Sequence, residues 1–146
     1  MYRASKDGDA ASDFHLKCDK SKSTLTLVKT KKGLRFGGYT SATWEGNDID
    51  KGDINAFCFS LDKMKIYNVI KGKRAIFASP YCGPAFENCI FQVKDKCFEE
   101  GGECSDDINN NFDNQETQFE INNGEERFEI ADLEVFNVTF QCVRAC

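Results

Sequence analysis

Alternating apolar and polar positions dominate the chain after residue 23. Residues 24–29 alternate with a period of two and are rich in β-branched side chains, which predicts a half-buried β-strand. Residues 30–33 supply a turn, with Gly33 available for a positive φ, and residues 34–40 return as the partner strand. The two segments predict a β-hairpin in which Leu25 and Leu27 point into the core.

Six further segments have the composition of short strands and are separated by turn-forming residues. In the first of them, the same alternation predicts that Phe57 and Phe59 are buried. Most of the segments are rich in β-branched or aromatic residues, as the strands of layered β-proteins are. They are residues 56–61, 65–70, 75–79, 89–94, 117–121 and 133–140.

Helical periodicity is confined to residues 10–18. Ala11, Phe14 and Cys18 recur on one face of that segment, and Asp9 precedes it as the expected N-cap. Many short strands with so little helix predict a mainly β fold: a two-sheet antiparallel β-sandwich with a few short helices. A chain of 146 residues has the length of one domain, which is expected to span residues 1–146.

Residues 95–115 differ from the rest of the chain in their acidic and amide side chains. The segment contains two adjacent glycines and three consecutive asparagines, and it is expected to be a surface loop. No apolar run approaches the length of about 20 residues that a transmembrane helix needs. The first residues also lack the apolar core of a signal peptide, so the expected location is cytoplasmic.

The net charge of −5 is unevenly distributed along the chain. Residues 1–73 carry 14 Lys and Arg against 9 Asp and Glu, whereas residues 74–146 carry 5 against 15. An acidic chain with one small basic cluster, at 29–35, lacks the positive surface that phosphate contacts require, which argues against nucleic-acid binding. This uneven distribution of charge would help to orient the domain on a charged protein partner.

Eight cysteines allow three interpretations: free thiols, disulfides or a zinc site. Without a signal peptide, reduced thiols are favoured, and Cys58 within an apolar strand is expected to act as a small hydrophobic residue. The spacings contain no C-x2-C pair and the chain has one histidine, which is unusual for structural zinc. The cysteines stand at positions 18, 58, 82, 89, 97, 104, 142 and 146.

Other candidate chemistry is sparse. His15 and Cys18 share a helix face at i, i+3, so a Cys–His pair is geometrically possible. Residues 48–53 carry alternating carboxylates but lack the distant Glu of a calcium loop. We expect no catalytic residue, no metal ligand and no cofactor, and therefore no enzyme.

Several motifs resemble those of the TLDc domain family. Residues 2–8, YRASKDG, followed by Phe14, His15 and Cys18, resemble the opening Y-x-x-S-R-D-G…F-H-x-x-C. The hairpin and Trp44 closely resemble T-L-x-L-I-K-x-x-x-G-x-x-F-G-G-Y-x-S-x-x-W. Residues 55–61 resemble N-A-F-L-F-S-L, and later segments fit G-P-x-F and I-E-V-F. The matching positions, expected to be structural, are Gly33, Phe36, Gly37, Gly38, Tyr39, Trp44, Phe57, Gly83, Pro84, Glu134 and Phe136.

Two departures from the family pattern stand out. Glu87 and Asn88 replace the glycines that usually follow G-P-x-F, which puts in doubt a role of that loop in close backbone contacts. The chain also begins almost on the first motif, whereas family members commonly have a segment upstream. Two interpretations are therefore left open: the domain lacks an N-terminal edge segment, or the sequence is a fragment of a larger protein.

The resemblance implies a β-sandwich without a settled catalytic activity. Family members are linked to resistance against oxidative damage and to binding and regulating the vacuolar-type proton ATPase. A non-enzymatic interaction module that docks on a larger assembly is thus favoured, with the proton ATPase as precedent and a cytoskeletal or ciliary scaffold as a variant. The alternative is a thiol-based antioxidant protein, which needs an exposed thiol of low pKa.

The aromatic and glycine residues of the hairpin allow a core or a partner-binding role. Phe36 and Trp44 are expected in the core, and Tyr39 is left open between the core and a partner surface. Gly37 and Gly38 are expected to serve backbone geometry or close packing, since glycine within a strand costs conformational entropy.

Overall fold

The computed structural model describes residues 1–86, 90–106 and 110–141. In this part of the chain, twelve strands form two six-stranded sheets, and every strand pair is antiparallel. Aromatic rings pack between the sheets: Phe36 meets Phe91 with ring centroids 5.3 Å apart. The predicted two-sheet sandwich with short helices is confirmed.

The first sheet contains the predicted hairpin at its centre. Its strand order is β1-β12-β2-β3-β5-β6. Gly33 lies in the turn between β2 and β3 with φ +90°, as the sequence predicts. The strands are β1 Tyr2–Arg3, β2 Thr24–Thr30, β3 Arg35–Thr40, β5 Phe57–Ser60, β6 Lys65–Asn68 and β12 Ile130–Asn137.

The second sheet consists mostly of short strands from the latter half of the chain. Its order is β11-β10-β9-β8-β7-β4. Strands of two to four residues carry too little alternation to be recognised, and β4, β8, β10 and β11 were not predicted. The strands are β4 Ile49–Gly52, β7 Arg74–Ala78, β8 Ala85–Phe86, β9 Phe91–Val93, β10 Gly102–Glu103 and β11 Arg127–Phe128.

The longest helix lies where the periodicity predicts it, but its N-cap differs. The N-cap is Ala10, not Asp9. The carboxylate of Asp13 accepts a hydrogen bond from the Ala10 N–H at 3.2 Å, and that of Asp9 accepts one from the distant Phe98 N–H at 3.2 Å. The helices are α1 Ala4–Asp7, α2 Ala11–Cys18, α3 Cys97–Glu100 and a 3-10 helix Glu120–Asn122.

The inner and outer faces of the central strands are the reverse of the prediction. In β2, Thr24, Thr26 and Val28 are buried, whereas Leu25 and Leu27 are half-buried on the outer face. The expectation that these leucines form the core was wrong. A period of two fixes the alternation but not which set of side chains points inward.

The neighbouring strand β5 follows the same reversal. Cys58 and Ser60 are buried, and Phe57 and Phe59 are half-buried on the outer face. Small inward side chains suit this interior because large rings from other elements fill it, among them Trp44, which is 1% exposed. The prediction that both phenylalanines are buried was wrong, and the one for Cys58 is confirmed.

Two predictions in the latter half of the chain also need correction. The segment 95–115, expected as a surface loop, contains α3 and β10 and buries Cys97 and Phe112. Residues 117–121, expected as a strand, lead into the 3-10 helix. Phe119 and Asn123, which flank that helix, adopt positive φ. A backbone with positive φ at these positions cannot continue the hydrogen-bond ladder of a β-strand.

Gly38 allows the two sheets to approach each other closely. A Cβ atom added there would lie 2.4 Å from Cζ of Phe86, a ring that is fully buried. A Cβ on Gly37 would lie 1.9 Å from the Thr26 carbonyl oxygen and 2.8 Å from Cζ of Phe59. Neither glycine has a positive φ, so both are present for close packing.

Asp53 joins the end of β3 to the segment that leads into β5. Its carboxylate accepts hydrogen bonds from Thr40 Oγ1 at 2.8 Å, Ser41 Oγ at 2.7 Å, the Ser41 N–H at 2.5 Å and the Asn55 N–H at 3.0 Å. Partial burial acts to raise the pKa of Asp53, but these hydrogen bonds lower it below its usual value. The ionised carboxylate therefore stabilises the turn.

Replacing Gly38 with Ala is expected to lower the free energy of unfolding by about 1–3 kcal/mol, because the new methyl group overpacks the Phe86 ring. Gly52→Ala is the matched control, since the atom nearest to its added Cβ, the Lys73 carbonyl oxygen, lies 3.8 Å away. The control should change stability by less than about 0.5 kcal/mol. Urea denaturation measures both, and equal stabilities would contradict the packing role of Gly38.

Asp53→Asn is expected to cost about 1.5–3 kcal/mol at neutral pH, because hydrogen bonds to the charged carboxylate are lost. The pKa of Asp53 is lowered on folding, so its contribution is present above the unfolded pKa of about 3.9 and is lost as the pH falls through the folded value. The loss of stability between pH 5 and pH 2 (roughly the range in which carboxylates titrate) should be smaller in the variant. Glu125→Gln, which removes an exposed ion pair with Lys32, is the control, and identical pH curves for Asp53→Asn and wild type would contradict the assignment.

Candidate interaction surface

The outer face of the first sheet carries an apolar strip that crosses five strands. Cross-strand register aligns two rows of side chains on this face. Gly37 lies in one of these rows, beneath the ring of Phe59. The apolar strip consists of Leu25, Leu27, Tyr39, Phe57, Phe59, Ile66 and Phe136.

Several members of the strip are well exposed. Ile66 is 53% exposed and Phe136 40% exposed, at opposite ends of the strip. The rings of Tyr39 and Phe57 stack with centroids 5.3 Å apart, and Phe140, 76% exposed, packs edge-on against Tyr39 at 6.0 Å. Contiguous apolar surface of this kind marks an interaction site in soluble domains.

Ion pairs border the apolar strip. Arg35, one row away, pairs with Asp62 at 3.0 Å. Arg3 pairs with Asp132 at 2.7 Å and with Glu134, which ends the Leu27 row on β12, at 3.0 Å. The backbone N–H and guanidinium of Arg35 lower the pKa of Asp62. Partial burial acts to raise the pKa of Asp132, but hydrogen bonds, first that of Arg3, lower it. The bordering carboxylates are therefore neutralised by arginines at neutral pH.

The outer face of the second sheet has a different character. Gln92, Glu103 and Arg127 form a polar row across its strands, and Lys94 pairs with Glu103 at 3.0 Å. The two outer faces thus differ in kind, and the apolar one belongs to the first sheet.

The sequence-predicted signature residues divide between the core and this surface. Gly83 packs against Val93, and the Pro84 carbonyl oxygen accepts a hydrogen bond from the Val93 N–H at 2.9 Å. Phe36 and Trp44 are core residues, as expected, and Tyr39, Phe57, Glu134 and Phe136 lie on the outer face or its border. Glu87 and Asn88 lie outside the described residues.

The possible Cys–His pair does not form a catalytic arrangement. His15 Nδ1 lies 2.5 Å from Oδ1 of Asp19, and His15 Nε2 lies 2.9 Å from the carbonyl oxygen of Cys82. Both ring nitrogens are therefore engaged by oxygen atoms rather than by the Cys18 thiol. The histidine tethers α2 to the segment after β7.

The described thiols are buried. Burial raises the pKa of Cys18 and Cys97 to about 12 and that of Cys82 to about 11. Cys58 and Cys104 are also buried. A thiol with a raised pKa contains little thiolate at neutral pH, so Cys18, Cys82 and Cys97 are poor sites for nucleophilic chemistry.

Carboxylates of the predicted calcium-like segment point to separate partners. Asp48 accepts a hydrogen bond from Ser79 at 2.6 Å, Asp50 pairs with Arg74, and Asp53 holds the Ser41 turn. Within the described ranges, no group of three or more His, Cys, Asp or Glu side chains is arranged to hold a metal ion. Among the same residues, no helix is both long and apolar enough to cross a membrane.

Sequence reasoning missed the apolar strip because it placed the same side chains in the core. The period of two leaves the orientation of β2 open, and what decides it is a contact with Trp44, 20 residues away along the chain. In the structure, Trp44 Nε1 donates to Thr24 Oγ1 at 2.9 Å, which places the threonine row inside.

Comparison with known proteins gives one family. A search of curated proteins found no match. A family model described as the TLDc domain matches residues 1–139 of the 146-residue chain. This match covers nearly the whole sandwich, from β1 to β12. The chain therefore belongs to the TLDc domain family.

Proposed function

We propose that this chain is a non-enzymatic protein-interaction module that docks on a larger protein assembly through the apolar strip. The observation that carries the proposal is the continuous apolar strip on one outer face of a folded sandwich, with half-buried side chains along it and the exposed Ile66 and Phe136 at its ends. Exposed apolar surface is retained where a partner covers it, because otherwise it favours aggregation. The precedent in the TLDc family is the vacuolar-type proton ATPase, with a cytoskeletal or ciliary scaffold as the variant.

The chemistry of the described residues supports a binding role over catalysis. The single histidine is held between Asp19 and a backbone carbonyl, and the buried thiols have raised pKa values. A link to oxidative-stress resistance, which the family suggests, would then operate through a bound assembly and not through consumption of oxidant. The proposed site of action is the cytoplasmic side of a membrane-bound or cytoskeletal complex.

Thiol labelling tests the antioxidant alternative. In the native domain at pH 8, Cys18, Cys82 and Cys97 are expected to react with iodoacetamide at least ten times more slowly than free cysteine, because their raised pKa values suppress the thiolate. Unfolding in urea should restore normal rates. Site-resolved mass spectrometry measures each position separately, and rapid native labelling coupled to peroxide consumption would favour the thiol-based alternative.

Affinity capture tests the docking proposal. The domain is immobilised and exposed to purified vacuolar-type proton ATPase and, separately, to a cytoskeletal extract. The double variant Ile66→Gln/Phe136→Ser removes two exposed apolar side chains from the strip. It should lose at least 90% of the captured assembly (about 1.4 kcal/mol in affinity).

The control is Ile49→Gln/Tyr81→Ser, which removes two side chains of similar exposure, 49% and 74%, from the other side of the sandwich. It should retain capture. Both variants are checked for parental melting temperatures. If the strip variant still captures the assembly and the control does not, docking occurs elsewhere on the domain. If the wild-type domain captures neither assembly, the result argues against both named partners.

A further inference from the structure

The apolar strip has the dimensions of one α-helix. It crosses five strands, and a strand spacing of about 4.8 Å gives it a length of roughly 19 Å. Along the strands it is two side-chain rows deep on β2, β3 and β5, with about 7 Å between rows. At its ends it is one row deep, because Glu134 and Asn68 occupy the second row on β12 and β6. A helix rises about 1.5 Å per residue, so roughly 13 residues would cover this length.

Charged residues prevent the strip from extending further along the strands. The next row on the outer face is Asp132, Lys29 and Arg35. A partner β-sheet would need apolar contact along the whole length of the strands, because stacked sheets meet over an extended face. A strip two rows deep instead matches the narrow apolar stripe of an amphipathic helix.

The backbone at the β6 edge of this sheet is already occupied. The Asn68 N–H donates to Oδ1 of Asp113 at 2.8 Å, and the Asn68 carbonyl oxygen accepts from the Asp113 N–H at 2.9 Å. The Ile66 carbonyl oxygen accepts from Nδ2 of Asn114 at 2.9 Å. These bonds block the addition of a strand beside β6, so a partner that contacts Ile66 lies on the face of the sheet and not along this edge.

The charge around the strip favours an acidic partner. The bordering carboxylates are paired with arginines, whereas Lys29 has no ion-pair partner among the residues that the structure describes. Beside Phe136, at the far end of the strip, a depression of about 390 Å³ is lined by Arg3, Lys6 and Lys17 and by the carboxylates of Asp7 and Glu134. Arg3 pairs with Glu134 and Lys17 pairs with Asp7 at 2.9 Å, so Lys6 supplies the positive charge that no ion pair among the described residues neutralises.

We infer that the apolar strip binds an amphipathic α-helix whose apolar stripe is flanked by carboxylates. This inference rests on the proposed docking function and specifies its partner. The apolar stripe covers the two rows of the strip, and the flanking carboxylates meet Lys29 on one side and the depression beside Phe136 at one end. Complementary charge fixes the orientation of the helix and selects it against basic helices.

Two designed peptides of 14 residues serve as probes. Both carry leucines at helical i, i+3, i+4, i+7 spacing and capped termini, and they differ only in flanking residues, which are Glu in one and Lys in the other. Fluorescence anisotropy with the whole domain in 50 mM salt should show the acidic peptide binding at least ten-fold more tightly. Raising the salt to 500 mM should reduce this difference, because screening weakens exposed charge pairs.

Variants assign the site. Lys29→Glu should weaken the acidic peptide at least five-fold and strengthen the basic one, whereas Lys71→Glu, at a turn away from the strip, should change neither. Ile66→Gln/Phe136→Ser should weaken both peptides at least ten-fold. If that double variant melts early, Ile66→Gln alone is used, since this side chain is largely exposed and lies on an edge strand.

If something other than an acidic helix occupies the apolar strip, the experiments give a different result. Equal binding of the two peptides, or binding that is insensitive to Ile66→Gln, overturns the inference. A concentration-dependent dimer in analytical ultracentrifugation that the strip variant abolishes, without peptide binding, identifies a second copy as the occupant. If capture of an assembly depends on the strip while neither peptide binds, the helical acidic partner is wrong and the docking proposal stands.

Discussion

The contact between Gly38 and the Phe86 ring sets the distance between the two sheets. Phe86 comes from the second sheet and reaches the backbone of the central strand of the first, where no side chain lies in its way. Around it, Trp44 and Phe91 pack with centroid distances of 5.7 Å and 5.1 Å. Because the rings fill the interior, β2 and β5 contribute small inward side chains, and their large apolar ones face outward.

This packing explains why threonines occupy the core of β2. Thr24 has a defined buried role, since its hydroxyl oxygen accepts the Trp44 indole N–H. Neighbouring side chains in a strand point to opposite faces, so Leu25 and Leu27 lie on the outer face. Their hydrophobicity alone would have placed them inside. The apolar strip is thus a consequence of the core, and its register follows from the same pairing that positions the glycines.

The sequence was informative where the pattern extends over many residues and uninformative where it does not. The hairpin, α2 and the two-sheet class could be predicted, since residues 24–40 and 10–18 have clear periodicity. The strands β8, β10 and β11 have two residues each and become strands only by pairing with neighbours distant along the chain. The 3-10 helix at 120–122 depends on the burial of Glu120 and on its pairing with Lys65 at 3.0 Å, a contact across 55 residues.

The candidate surface was unpredictable for a different reason. Deciding whether Leu27 or Thr26 lies on the outer face requires knowing which large rings fill the core, and these include Trp44 and rings from the second sheet. The charge of the first sheet, in contrast, can be read from the sequence, because the basic half of the chain supplies most of its strands. The acidic exception is β12, and its Asp132 and Glu134 are paired with Arg3. The strip is therefore bordered by neutralised acids and by cations such as Lys29. In the proposed binding mode, apolar contact would be the main source of affinity, and charge would select among the helices that could provide it.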